Sequence, residues 1–439
     1  MRMHLTALVA LLLLAPAAAA KIVRVAEDES VQAAVDAAEP GDVIELAAGA
    51  FDERVRIAKP LTLRGAGWQQ TRIAPALHGT PSDAEKIAFA DRLLAAASDD
   101  ERAEAMRQFL VRSGLPTIEV IGVEGVRIER LSVGGPVPAS VDGLAYVPLV
   151  RLAACEATIA DCAIVGPFWN GVNVVGGARA TIERTLIAGL WNVGLYAGGN
   201  DGLGGVEAKP PSLVLRDSDV RNCYGRGVAL RADDVRLERN RISGSAWHGV
   251  RYDDCSPTLR GNRIWGNART GLYASGDTRA VVEHNVFGHG GTVSLWFRNN
   301  DTITRNTFSG VNLAMSVMGA SVPIVRENLF AGCEVGVWRG RIEGHADLGV
   351  GRPALSGNAF WLTAVPVKVD DVAVEPPPGN SVGLDPELGQ FGALPSHAPA
   401  GATATVAAPT SPFDVQPGER AIIPDGDTRD WQAWKKPGE

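Results

Sequence analysis

Cysteine is scarce: five in 439 residues, an odd number that leaves at least one thiol unpaired. A bilayer-spanning run is missing as well. The apolar stretch Leu5 to Leu14 is about half of the ~20 residues a spanning helix needs. With Arg2 ahead of it and Ala18-Ala19-Ala20 behind, it reads as a secretory signal over residues 1–20. The mature chain is then expected to be soluble and exported, in the periplasm or the medium. Positive charge is in deficit, with 42 Lys and Arg against 50 Asp and Glu, a net charge of −8. Loss of Arg2 with the signal leaves 41 against 50, or −9. That balance argues against nucleic acid or an anionic membrane as the main partner. Gly (50) and Pro (27) are plentiful, yet 46% apolar residues is too many for a disordered chain.

What is present in abundance is a repeat. The pattern apolar-x-x-Asn-x-apolar recurs as Leu237…Asn240…Ile242, Leu259…Asn262…Ile264 and Val282…Asn285…Phe287, then Ile303…Asn306…Phe308, Val325…Asn328…Phe330 and Leu355…Asn358…Phe360. Successive starts lie 22, 23, 21, 22 and 30 residues apart. Earlier coils keep the rhythm with Cys162, Thr185 and Ser218. A second signal, Gly followed by an apolar residue, sits half a coil later at Gly171, Gly194, Gly227, Gly249, Gly271 and Gly336.

Short β-branched strands separated by turns at this period exclude a helical solenoid. Stacked coils put parallel strands about 4.8 Å apart, so the repeated Asn becomes an interior ladder of amides bonding one another. The same register opposes disulfides. Cys155 and Cys255 hold equivalent places four coils apart, about 19 Å at strand spacing, and a bridge needs Cα atoms within about 7 Å. Buried free thiols are expected.

The fold class expected is all-β, a single-stranded right-handed parallel β-helix over 21–373. Ser30 should cap a short amphipathic helix with Val31, Ala34, Val35 and Ala38 on its buried face and Pro40-Gly41 as its stop. That helix would cover the open end of the solenoid. Residues 82–113 break the rhythm with two helix-like stretches, a helical insertion on the outside of the solenoid. From 374 to 439 the chain is rich in Pro, Ala and Gly and reads as an irregular C-terminal tail.

The opening Val31-Gln-Ala-Ala-Val-Asp-Ala-Ala-Glu-Pro-Gly-Asp42 and the Asn-bearing coils resemble secreted right-handed parallel β-helix proteins of the pectin lyase-like superfamily. The resemblance implies the architecture, and a groove along one face that in most enzymes of the group takes a polysaccharide, often a uronate. The fold hosts many chemistries, so the site must be argued on its own residues. Asp253-Asp254 and Gly288-His289-Gly290 echo polygalacturonases, but 35 residues separate Asp254 from His289. That is about one and a half coils, which puts them on different faces.

Registering the coils gives another candidate. Arg231, Asp233, Asp234, Asp253, Asp254, Asp277, Arg298, Asn299 and Asp301 fall on one turn. Asp254 and Asp277 each lie five residues before a coil start and should stack about 5 Å apart. Carboxylates that close form an acid/base pair or bind a cation such as Ca2+. No other cofactor is implied. Asp253, Asp254, Asp277 and His248 are therefore the candidate catalytic residues, and Asp254 with Asp277 the candidate metal ligands. Arg251 and Arg298 would neutralise substrate carboxylates, and Tyr252, Tyr273, Trp296 and Trp338, with Tyr196 earlier, would stack on sugar rings. The reading is an exported protein that binds, and as an enzyme would cleave or modify, an extended acidic polysaccharide. Its alternative is a non-catalytic adhesive or accessory solenoid with a protein partner.

Overall fold

The computed structural model describes residues 20–75, 95, 116–134, 147–166 and 169–383. All but Ala20 of the signal expected at 1–20, all but Ala95 of the helical insertion expected at 82–113, and the chain beyond 383 lie outside the described residues.

One coil explains the rest. In Val235–Glu238 the side chains alternate, Val235 and Leu237 inward, Arg236 and Glu238 outward, as the period of a strand demands. Arg239 then adopts φ +54°, and this left-handed residue turns the corner. Behind it Asn240 points into the interior, donating from Nδ2 to the Leu215 carbonyl (2.8 Å) and to Asn262 Oδ1 (3.0 Å). A short strand, Arg241–Ser243, follows, and after a second turn the strand His248–Asp253. Among the described residues, stacked coils make three sheets of 13 strands each, parallel throughout except for one antiparallel strand at the end of one sheet. Sheet A begins at Ile22–Val25, sheet B at Gly49–Phe51 and sheet C at Val55–Ile57. The chain is a right-handed parallel β-helix.

The interior is a set of columns. Asn262, Asn285, Asn306, Asn328 and Asn358 continue the amide ladder to Asn380, each Nδ2 donating at 2.9–3.0 Å to the next Oδ1. Thr185 and Ser218 extend it backwards, the Thr185 N–H donating to Ser218 Oγ and the Ser218 N–H to Asn240 Oδ1. Beside it Phe287, Phe308, Phe330 and Phe360 stack at centroid distances of 5.0, 4.9 and 4.8 Å. All five cysteines are free and buried singly in this interior, and burial pushes the thiols of Cys155, Cys162, Cys223 and Cys255 up to about 12.

The helix forms over Val31–Ala37 with Val31 and Val35 buried, and Ser30 Oγ accepts from the Ala33 N–H at 3.1 Å. Two contacts absent from the sequence reading complete it. Glu53 accepts from the Val31 and Gln32 amides, and Lys59 donates to the carbonyls of Asp36 and Ala38, both at 2.8 Å. At the other end, pairing runs past 373. Val372–Val374 turns back antiparallel on Val365–Val369, and Ser381–Val382 adds to sheet B. Among the described residues no helix is long and apolar enough to cross a membrane.

Candidate functional site

Sheet C carries the longest strands, up to nine residues in Thr270–Thr278, and its outer face bears the candidate site. One outward column runs Arg151, Asn173, Tyr196, Ala229, Arg251, Tyr273, Ser294 in strand register. Beside it lies a groove of 620 Å3 bounded by Trp169, Asn173, Tyr196, Asp201, Arg226, Arg231, Arg251 and Asp253. Its near end is built by the longer excursion after Tyr196. There the buried Arg151 grips Asp201 at 2.9 Å and Glu119 at 2.9 Å, and Asp201 also accepts from Asn173.

Several expected residues do converge here. Arg251 Nε and Nη2 donate to the Asp253 carboxylate at 2.8 and 3.0 Å, and the guanidinium sits 5.3 Å over the Tyr273 ring. Tyr273 stacks on His248 at 4.8 Å, and Trp296 follows at 6.2 Å with its Nε1 donating to Ser294 Oγ. Tyr196, two strands before Arg251, lines the groove and donates from its hydroxyl to the Asn200 carbonyl. His248 is 6% exposed, with Nδ1 2.8 Å from Thr270 Oγ1. Burial, then the positive charges of Arg226, Arg251 and Arg269, pull its pKa down to about 3. It therefore stays neutral near pH 7.

Other expectations are corrected by register. Tyr252 faces inward and is fully buried, its hydroxyl donating to Asp301 Oδ2 at 2.7 Å, because alternation along His248–Asp253 sends Arg251 and Asp253 out and Tyr252 in. Asp301 is not on the acidic surface either. It is wholly buried, accepts from Tyr252, Thr278 and the Ala280 amide, and burial pushes its pKa up.

Asp254 and Asp277 do not stack. Asp253 lies opposite Ser275, and Asp277 opposite Arg298. Sheet C spaces Tyr252 and Ala274 by 22 residues, whereas sheet A spaces Leu259 and Val282 by 23. The extra residue enters between them, at Gly276 (φ +91°), where a Cβ would strike the Asp254 carboxylate. Both aspartates are exposed; Asp254 Oδ1 accepts from the Asp277 amide at 3.1 Å, and Asp277 Oδ1 is 3.8 Å from Arg279. Arg298 is exposed beside Asp277. Trp338 lies three strands beyond Tyr273 and donates to the Asp370 carbonyl, about 14 Å away at strand spacing.

Arg226 and Trp247 were missed. Arg226 directly precedes Gly227 as His248 precedes Gly249, so one residue upstream of the Gly-apolar signal would have found it. Its guanidinium lies 5.0 Å over Trp247, and that of Arg269 lies 5.4 Å over the same ring.

Comparison with solved structures gives distant likenesses. The A-module of an Azotobacter vinelandii mannuronan C-5 epimerase is 12% identical, covering 80% of this chain and 93% of that one, with a TM-score of 0.41. A surface adhesin of Streptococcus pneumoniae is 8% identical over 76% and 86%, with a TM-score of 0.42. A GH136 lacto-N-biosidase from Eubacterium ramulus is 12% identical over 83% and 68%, with a TM-score of 0.44. No curated protein matches. Residues 177–345 match the family model described as NosD, periplasmic copper-binding protein.

A copper donor set does not fit the described residues. No three His, Cys, Asp or Glu side chains gather in a way that could hold a metal ion. The thiols are singly buried and held protonated, and the buried His248 is ringed by three arginines that repel a cation. The chain is a right-handed parallel β-helix repeat protein, similar over 177–345 to a family of periplasmic solenoids.

Proposed function

We propose that this is an exported solenoid that binds an extended acidic polysaccharide along the outer face of sheet C. The observation that carries the reading is the groove itself. Arg226, Arg231 and Arg251 line it, and Tyr273, His248 and Trp296 continue it as a row of rings. Sugar rings pack on aromatic faces, and guanidinium forks match carboxylates. Export agrees with the periplasmic family matched over 177–345.

Binding, not bond cleavage, is the activity this geometry favours. Asp253 is held by Arg251, and Asp254 and Asp277 are exposed and out of register, Asp277 lying opposite Arg298. The test is a binding screen of the purified mature chain against pectate, alginate and neutral glycans, with and without Ca2+, following product release as well. Selective retention on the acidic glycans, weakened in Arg251→Ala, is expected. Equal affinity for neutral glycans, or none for any, would overturn the reading. Product release that vanishes in Asp253→Asn or Asp254→Asn would instead make the protein an enzyme.

A further inference from the structure

Arg226 opens the strand Arg226–Leu230 at the margin of the groove. Its Nε is buried and meets no acceptor, and it forms no ion pair among the described residues. The carboxylate nearest in charge, Asp253, is already held by both donors of Arg251. Its other neighbours are Arg231, Arg251 and a His248 that stays neutral. Burial, with Arg251 next, draws the Arg226 pKa down to about 10. Arg151 shows the usual solution on the same sheet, a buried guanidinium answered by Asp201 and Glu119. Arg54 shares the orphan nitrogen but does not line the groove.

A desolvated cation without a counter-ion is costly, and an anion that arrives with the ligand would remove that cost. We propose that Arg226, seated over Trp247 and supported by Arg269, is an oxyanion subsite that receives a carboxylate or sulfate group carried on a ligand ring. Arg226 lines the groove, so its terminal amino groups supply the donors for the anion, while the buried Nε–H behind them is the part of the charge left unanswered. The chemistry of the ligand ring rests on the polysaccharide reading; the oxyanion subsite does not.

The experiment is thermal unfolding of the full chain in sodium glucuronate and in sodium sulfate, each against sodium chloride at matched ionic strength. Wild type is expected to show a saturable rise in Tm beyond the chloride control. A response to glucuronate alone assigns a carboxylate, and a response to sulfate a sulfate ester. Arg226→Met, which keeps the stem on Trp247 and removes the charge, should lose the saturable rise and melt higher than wild type when no anion is added. Arg305→Met, which removes an exposed cation at the sheet A corner already paired with Glu327, should keep it. Should Arg226→Met fail to fold, Arg226→Lys serves, with anion affinity weakened about tenfold or more by loss of the fork. An undiminished rise in the Arg226 variants, or no rise in wild type beyond chloride, overturns the subsite. Binding of pectate or alginate that ignores Arg226 would sink the subsite and spare the groove. An Arg226-dependent response to small anions with no glycan bound would do the reverse.

Discussion

The outer faces of sheets A and C treat charge in opposite ways. Along sheet A, acids and bases alternate from coil to coil: Arg24, Glu45, Arg64 and Glu129 at one end, and Glu183, Arg216, Glu238, Arg260 and Glu283 farther on, stand opposite one another in strand register. The corner next to that sheet repeats the device, with Arg184 on Asp161, Arg239 on Asp217 and Arg305 on Glu327, each at 2.7 Å. Parallel in-register stacking would place like charges directly opposite if every coil carried the same residue, so alternation removes the repulsion. Sheet C does not alternate in this way around Arg226, which forms no ion pair among the described residues while the neighbouring Asp253 is held by Arg251. A surface neutralised within itself has nothing to offer a charged ligand; one left unbalanced does.

The deepest break in this contrast lies under the sheet A corner. Asn306→Ala would strand the Asn285 amide and the Val282 carbonyl, which Asn306 now satisfies, and should cost about 3–5 kcal/mol by chemical denaturation. Asn380, half-buried at the end of the ladder, should cost less when changed to Ala.

On sheet C the expected signature is a pH slope. His248 has a folded pKa near 3 against an ordinary 6.5, so below pH 6.5 the unfolded chain takes up a proton that the folded chain refuses. Its contribution is complete above pH 6.5 and is lost as pH falls toward 3. His248→Gln should flatten the stability–pH curve between pH 6 and 4 by up to one proton, about 1.4 kcal/mol per pH unit. An unchanged slope would contradict the burial of a neutral imidazole among arginines.

Arg251→Ala should weaken binding of acidic glycans about tenfold or more while leaving neutral glycans unaffected, as read by affinity electrophoresis. The smallest effect belongs to the self-neutralised face. Arg305→Glu, set against Glu327, should destabilise by roughly 0.5–1 kcal/mol, and adding Glu327→Arg should restore most of it. A loss of glycan affinity from that exchange would erase the distinction between the faces.

Much of this was legible because a solenoid writes its geometry in the chain at one period. The Asn corners, the aromatic column, the unpaired thiols and the capping helix all follow from local pattern. The site was only partly legible. Asp254 and Asp277 share a place relative to the sheet A strands, and nothing in their spacing tells which side of the turn absorbs the additional residue near Gly276. Tyr252 and Tyr273 look alike along the chain, yet one faces in and the other out. His248 gives no hint of its pKa, since the arginines that depress it come from three different strands or turns.

The sequence by itself therefore determined the parallel β-helix and its interior ladders, because each coil repeats the same short-range pattern and stacks on a near-copy of itself. Only the tertiary structure decided which side chains share the groove and which charge goes unanswered. Those outcomes depend on a single-residue slip between sheets and on desolvation by neighbours one and two coils away, neither of which has a period to read.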